Sequence, residues 1–417
     1  MFKSLVYSLI TKGTVALINF FILVISSRYL GVSSRGEISV FILNITVIQI
    51  INEVYTGYSI VHFIPKFNFK KVLMYGICST FVFCSLSNLV IGFLEKQVQG
   101  YAWIGYLVSL LVILNTFNCV LILARQNIRT YNFLSFIQPL LLLLGIVVYT
   151  FILHKDTFEA FVYPLLFSFI LAFVISTFVV SGFFKKNSPV QFSFKSILTS
   201  GLVFQAATLM FIFVNRWSYY LLPDIAGIGL YASASSVMEA LLIIVNAISP
   251  VLLARIANEG DTLKSADLAL VLAKASLIFS LFGVVIIYLL PESFFIFVLG
   301  EGFSGIRQLM LLYAPGILMV SLFSPISYYF TAIGRQKIVL LCYCTGFFST
   351  LLLAPIFIAK YNTAGAALNA NIAYLLIAVA ICSCFVGTSK LSFSRFFSFG
   401  TDYRNLKKMF SSKTPGT

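Results

Sequence analysis

Five ionisable side chains interrupt long apolar stretches of this sequence: Lys12, Glu53, Arg216, Glu239 and Lys274. An ionised group near the middle of a hydrocarbon layer costs on the order of 2–3 kcal/mol, so such a residue marks a site that binds, conducts or pairs charge. Lys12 and Arg216 have the chemistry to hold a phosphate, arginine through a planar two-pronged fork and lysine as a point charge. Glu53 and Glu239 are candidates for coupling to protons or sodium. Neutral polar residues accompany them. At about 100° per residue, Ser4, Ser8, Lys12, Asn19 and Ser26 fall within an arc of roughly 80°. Gln49, Glu53 and Thr56 share a side of the next apolar run. Gln205, Thr208, Arg216, Tyr219 and Tyr220 gather on one face of a later run, and Ser235, Ser236, Glu239, Asn246 and Pro250 on the run after it. Each charge also has a plainer reading. Lys12 and Lys274 are close enough to a helix end to snorkel to lipid headgroups, and the two glutamates can serve as structural counter-charges.

The elements that must position these groups are membrane helices. With 417 residues, 60% of them hydrophobic and 10% charged, and a mean hydropathy of +1.01, the chain has too little polar surface to cover a soluble domain of this size. Twelve apolar runs match the roughly 20 residues that cross a bilayer, at about 5–30, 37–60, 72–94, 101–124, 132–153, 160–183, 196–222, 227–254, 268–290, 305–331, 338–358 and 364–387. They are continuous and not alternating, which predicts an all-α polytopic membrane protein and not a β-barrel. The start MFKSLVYSLITKG has no small-residue cleavage site and reads as a retained first helix.

The net charge of +15 is spread through short loops, a pattern set by membrane topology and not by nucleic acid. Of the 28 lysines and arginines, six (Arg28, Arg35, Lys96, Lys155, Arg307, Lys360) fall toward one side, three (Lys12, Arg216, Lys274) within spans, and the rest toward the side that holds both termini. The positive-inside rule makes that side cytoplasmic. The segment FKKNSPVQFSFK, 184–195, reads as a cytoplasmic linker between a six-helix bundle at 1–183 and a second at 196–388, followed by a basic tail at 389–417 with Phe393, Phe396, Phe397 and Phe399. Two bundles of even span number enter the membrane from the same side, so the repeat is parallel, with a cavity between its halves. Such a cavity would bring Lys12, Glu53, Arg216 and Glu239 toward one water-filled space.

Enzyme chemistry finds little support. There is no phosphate-binding glycine loop, HExxH or GxSxG motif, and His62 and His154 lie at loop boundaries without partners nearby in sequence. The cysteine pairs Cys342/Cys344 and Cys382/Cys384 are two residues apart, which points them to nearly opposite helix faces, so neither a metal site nor a structural disulfide is expected.

Two stretches have related layouts: Arg28 to Phe41, RYLGVSSRGEISVF, and Asn215 to Ser235, NRWSYYLLPDIAGIGLYASAS. Each places a cation near the end of a helix, then a glycine-containing turn, then a new apolar run. With Gly300, Gly302 and Phe303 in a short segment before the tenth run, and Ala314, Pro315 and Gly316 within it, the chain resembles the Wzx-type polysaccharide-biosynthesis flippases. Their superfamily also holds multidrug and toxin extrusion proteins and peptidoglycan-precursor flippases. The resemblance implies an undecaprenyl-diphosphate-linked oligosaccharide of O-antigen or capsule type, moved across a bacterial cytoplasmic membrane. It implies no cofactor, with membrane lipids, a glycan polymerase and chain-length machinery as surroundings. Under it Lys12, Asn19, Gln205, Arg216, Tyr219, Asn246 and Lys274 bind substrate, and Glu53 and Glu239 couple an ion. The alternatives are a multidrug exporter on the same scaffold, which would want a more acidic cavity, and a non-transporting scaffold for glycan assembly.

Overall fold

The computed structural model describes residues 2–57, 69–92, 98, 100–125, 127–182, 194–243, 256, 262–389 and 395. Residues 184–193 of the expected linker, Asn246, Pro250, His62 and most of the tail lie outside them, and Phe194 and Lys195, placed in the linker from the sequence, begin a helix. The described chain is helical throughout: α1 (Phe2–Thr56), α2 (Phe69–Gly92), α3 (Ala102–Ala124), α4 (Ile128–Val147) with a π turn at Val148–Ile152, α5 (Glu159–Ser181), α6 (Phe194–Arg216), α7 (Ser218–Leu221), α8 (Ile225–Ala240), α9 (Thr262–Leu289), α10 (Glu292–Leu299), α11 (Ile306–Ala332) and α12 (Gln336–Ser389). Eight of these are long and apolar enough to cross a membrane. Two of the eight, α1 and α12, have 55 and 54 residues, about twice the requirement, and each is two spans joined at a kink. The remaining two of the twelve expected spans are α6, continued by α7, and α8, whose described part has 16 residues. Side chains such as Leu89, Phe178, Leu289 and Leu352 stand exposed on the outer surface, as lipid contact requires.

Both kinks fall where the sequence suggests a polar turn between separate helices, yet only one residue in each leaves helical geometry. Gly31 has φ 81°. A Cβ there would touch nothing, so the left-handed backbone and not lack of space calls for glycine. Asn362 takes φ 48° in the middle of α12, a conformation asparagine tolerates better than most residues. The bend at Ala314–Pro315–Gly316 has a different remedy. Pro315 disturbs the hydrogen-bond ladder of α11, and Asn371 of α12 bridges the opening: Gly316 N donates to Asn371 Oδ1 at 2.8 Å, and Asn371 Nδ2 donates to Leu312 O at 2.7 Å. In a hydrocarbon layer no water is at hand to do this.

Helices α2 to α5 pack on one another and on α1, and α6, α8, α9, α11 and α12 form a second packed group. The long helix α1 is the principal contact between the groups, against α6 and α8. Close to its kink the backbones of α1 and α8 nearly touch. A Cβ on Gly229 would lie 1.9 Å from Val32 O, and one on Gly36 would lie 2.0 Å from Ile225 O. Nearby, α10 and the 3₁₀ turn Glu301–Phe303 cover the kink: the Arg28 guanidinium donates to Phe297 O and lies over the Phe297 ring, and Gly300 faces the Arg28 backbone.

Candidate functional site

Arg216 ends α6, and its guanidinium is carried into a core of aliphatic and aromatic side chains. Its Nη2 donates to Glu239 Oε2 at 2.6 Å. Its Nη1 donates to Ser235 Oγ at 2.7 Å and to the Tyr219 hydroxyl, and the cation sits 5.3 Å from the centre of the Tyr219 ring. Three local features assemble this cluster. Ser235 and Glu239 are four residues apart and so share a face of α8. Asp224 fixes where α8 begins by accepting from Gly227 N at 2.6 Å. Tyr219 follows Arg216 by three residues in the short helix α7. The side chains of Arg216 and Glu239 retain 19% and 28% exposure, so removing either strands a largely buried charge.

Rings enclose the pair. Tyr219 meets Tyr231 edge-on at 5.9 Å, Tyr231 meets Tyr313 at 6.0 Å, and the Tyr313 and Tyr374 hydroxyls are 3.0 Å apart. A second guanidinium, that of Arg35 in α1, lies near enough for its charge to repel that of Arg216. Its Nε is buried and has no hydrogen-bond partner among the described residues. The sequence puts Arg35 in a loop, and the helical continuation past Gly31 is what carries it inward.

The other expected residues separate. Glu53 is held by amides: Gln49 Nε2 donates to its Oε1 at 2.8 Å, and Gln205 Nε2 from α6 donates to its Oε2 at 3.3 Å. The Tyr220 hydroxyl donates to Asn44 Oδ1 at 2.7 Å and makes a second link between α1 and the later helices. Lys12 and Asn19 are exposed on the first segment of α1, while Leu23, Ser26 and Leu30, on the same side of the helix further along, are buried. Lys274 stands apart from the cluster. It is 5% exposed on α9, and its Nζ donates to Arg395 O at 2.8 Å, while Arg395 Nε pairs with Asp267 Oδ1 at 2.7 Å. These contacts hold a residue of the tail against α9. Thus the structure joins Arg216, Tyr219 and Glu239, joins Gln205 to Glu53, leaves Lys12 and Asn19 open, and gives Lys274 other partners. Cys342 and Cys384, on the two segments of α12, are both free, the first buried and the second partly buried.

A cavity of about 330 Å³ lies within the second group of helices, between α6, α8, α11 and α12. Phe211, Asn215, Glu239, Ser327, Tyr343 and Tyr374 are among its walls. Asn215 was not singled out by the sequence reading, although Thr208, Phe211 and Asn215 at i, i+3 and i+7 form the stripe of α6 that lines the cavity.

Two packed groups of helices, met through a kinked first helix, form a fold that the chain shares with solved membrane-protein structures. The chain is similar to lipid II flippase MurJ in an inward closed conformation (TM-score 0.74, 16% identity, covering 97% of this chain and 92% of that one). It is also similar to a multidrug resistance MATE family transporter in an inward-facing conformation (TM-score 0.64, 15% identity, 92% and 99% covered) and to the Vibrio cholerae MATE transporter VcmN in its bent form (TM-score 0.59, 14% identity, 95% and 98% covered). No protein-family model and no curated protein sequence matches the chain. At these identities the likeness establishes the fold.

Proposed function

We propose that the chain is a flippase that carries an undecaprenyl-diphosphate-linked oligosaccharide, an O-antigen or capsule repeat unit, from the inner to the outer leaflet of a bacterial cytoplasmic membrane. It works by alternating access of two six-helix bundles, 1–183 and 196–388, with both termini cytoplasmic. The observation that carries this reading is Lys12, an exposed cation beside Asn19 on a membrane-spanning helix whose same side is buried toward the kink. A cation left open at one end of a seam that is closed at the other suits a diphosphate entering from one leaflet. The prenyl chain remains in lipid.

An exporter of organic cations is the second reading, and the Arg216–Glu239 pair counts against it. That exporter needs an acid free to meet its substrate, and of the two expected carboxylates Glu239 already has an internal cation at 2.6 Å. Glu53 has neutral amide partners among the described residues and is the better placed carboxylate for coupling to H⁺ or Na⁺. None of the similar structures named above is an enzyme, which agrees with the lack of catalytic motifs.

The test is genetic and biochemical together. Deleting the gene should make lipid-linked repeat units accumulate while surface polysaccharide disappears. Restoring Lys12→Ala should return protein to the membrane at the normal level but little surface polysaccharide. Normal surface polysaccharide with Lys12→Ala would remove the carrying observation.

A further inference from the structure

The short helix α10 and the turn Glu301–Phe303 that follows it are held very differently on their two sides. On the side of the second group of helices the chain itself fixes both ends. Only Leu290 and Pro291 separate α10 from α9, and Glu292 Oε1 accepts from Gly305 N at 2.6 Å, which ties the start of α10 to the start of α11. Phe295, Leu299 and Phe303 are buried in the same core as Ile306 and Leu309. On the side of α1 the attachment is thinner. The Arg28 guanidinium donates to Phe297 O and lies over its ring, and both residues are exposed. Gly300 faces the Arg28 backbone and Gly302 faces the Val32 side chain, so at these two positions nothing interlocks with α1.

Such a contact parts easily. When Arg28 and Phe297 O separate, water or lipid headgroups can take over each end of an exposed hydrogen bond, so its net contribution is small. The same stretch of α1 touches α8 on another side, where a Cβ on Gly229 would lie 1.9 Å from Val32 O. Arg28 to Val32, around the kink at Gly31, is therefore enclosed by the second group at the end of the seam that the charge distribution assigns to the outside. Opening the seam there parts α1 from α8, and α10 has to travel with one of them. Its covalent ends travel with the second group.

We propose that α10 and the turn Glu301–Phe303 form a releasable outer latch on α1, which lets go of Arg28 and Val32 each time the bundles part on the outer side. The proposal rests on the topology and alternating access of the flippase reading and adds the element that shuts the outer end. Arg28 is a positioning residue of this latch and does not touch the substrate.

The experiment uses the full chain carrying Val32→Cys and Gly302→Cys. A Cβ at Gly302 lies 3.6 Å from the Val32 Cβ, within the span of about 3.5–4.5 Å that a disulfide bridges. Oxidation should link the two positions, read by mass spectrometry of the joined peptides, and failure to link would overturn the latch. In proteoliposomes containing the lipid-linked glycan that accumulates in cells lacking the gene, the reduced variant should move the glycan, the oxidised one at least tenfold more slowly, and dithiothreitol should restore the rate. Equal rates in both forms would mean that α10 stays on α1 throughout, and the latch would be wrong. A second measurement needs no substrate. Val32→Cys alone is labelled in intact cells with a membrane-impermeant maleimide, counted at position 32, and adding Arg28→Leu should raise the labelling rate threefold or more. An unchanged rate would overturn the proposal, and this rate decides if the double variant is inactive even when reduced. If the wild type moves no glycan while Arg28→Leu still speeds labelling, the flippase reading falls and the latch stands. If the wild type moves the glycan but neither the disulfide nor Arg28→Leu has its effect, the latch falls and the flippase reading stands.

Discussion

At the scale of single residues, the central fact is that both terminal nitrogens of Arg216 are bound by its own protein. Arg216→Ala should therefore act first on stability. It leaves Glu239 as a largely buried unpaired charge, at a cost of about 2–4 kcal/mol when the remaining exposure is allowed for. Thermal unfolding in detergent should drop for Arg216→Ala, drop less for Arg216→Lys, and recover in part when Glu239→Gln accompanies Arg216→Gln, because no net charge is then stranded. A direct role for Arg216 on substrate would appear as transport lost in the double variant but kept in Glu239→Gln alone, each at normal protein level. Lys12 makes the contrast. It is exposed on α1, so Lys12→Ala should leave the melting temperature where it was, with a change below about 0.5 kcal/mol. The cluster of Arg216, Tyr219 and Glu239 was legible in the sequence because polar residues on one helical face stand out in an apolar stretch. Tyr374 was not, since aromatic residues serve lipid-facing and cavity-lining positions alike. The partner of Lys274 was invisible for another reason: it is a main-chain oxygen 121 residues away, which no side-chain pattern encodes.

At the scale of elements, bilayer thickness imposes a length on each span, and that is why the apolar runs gave the helices. What length does not encode is direction. Gly31 and Asn362 each turn a helix by leaving helical geometry at one residue, and an apolar count on either side cannot tell such a kink from a loop. The bend in α11 makes a sharper prediction. Asn371→Leu removes both hydrogen bonds that bridge Leu312 O and Gly316 N, and two backbone groups are then left bare in hydrocarbon. The loss should be about 2–4 kcal/mol, seen as a lower melting temperature, and Asn371→Asp should recover only the half of the bridge that accepts from Gly316. An unchanged melt for Asn371→Leu would mean that α11 re-forms its ladder across Pro315 without help.

At the scale of the whole molecule, the two groups of helices meet along α1, and the tightest point is the crossing of Gly36 and Val32 with Ile225 and Gly229. Gly229→Ala inserts a carbon where the Val32 carbonyl already stands, so the backbones must part, at a cost of about 1–3 kcal/mol. Its melting temperature should fall more than that of Gly13→Ala, where a Cβ meets nothing. The proposed topology makes a separate prediction: cysteines introduced at Ser188 and Ser411 should react only with reagents that reach the cytoplasm, and labelling from outside intact cells would reverse the assignment. The two-bundle division itself was suggested in the sequence by paired layouts around Arg28 and Asn215, but the contact that joins the bundles was not, because a glycine in sequence does not say which backbone approaches it. That contact has a mechanical meaning. It is a fulcrum near one end of a long arm: from Gly36 to Thr56 the helix extends about 30 Å at 1.5 Å per residue. A tilt of only about 10° about the glycine crossing displaces the far end by about 5 Å, close to one helical pitch. The crossing can thus stay nearly still, its backbones in contact, while the remote end moves sideways by about half the 8–10 Å that separates packed helices.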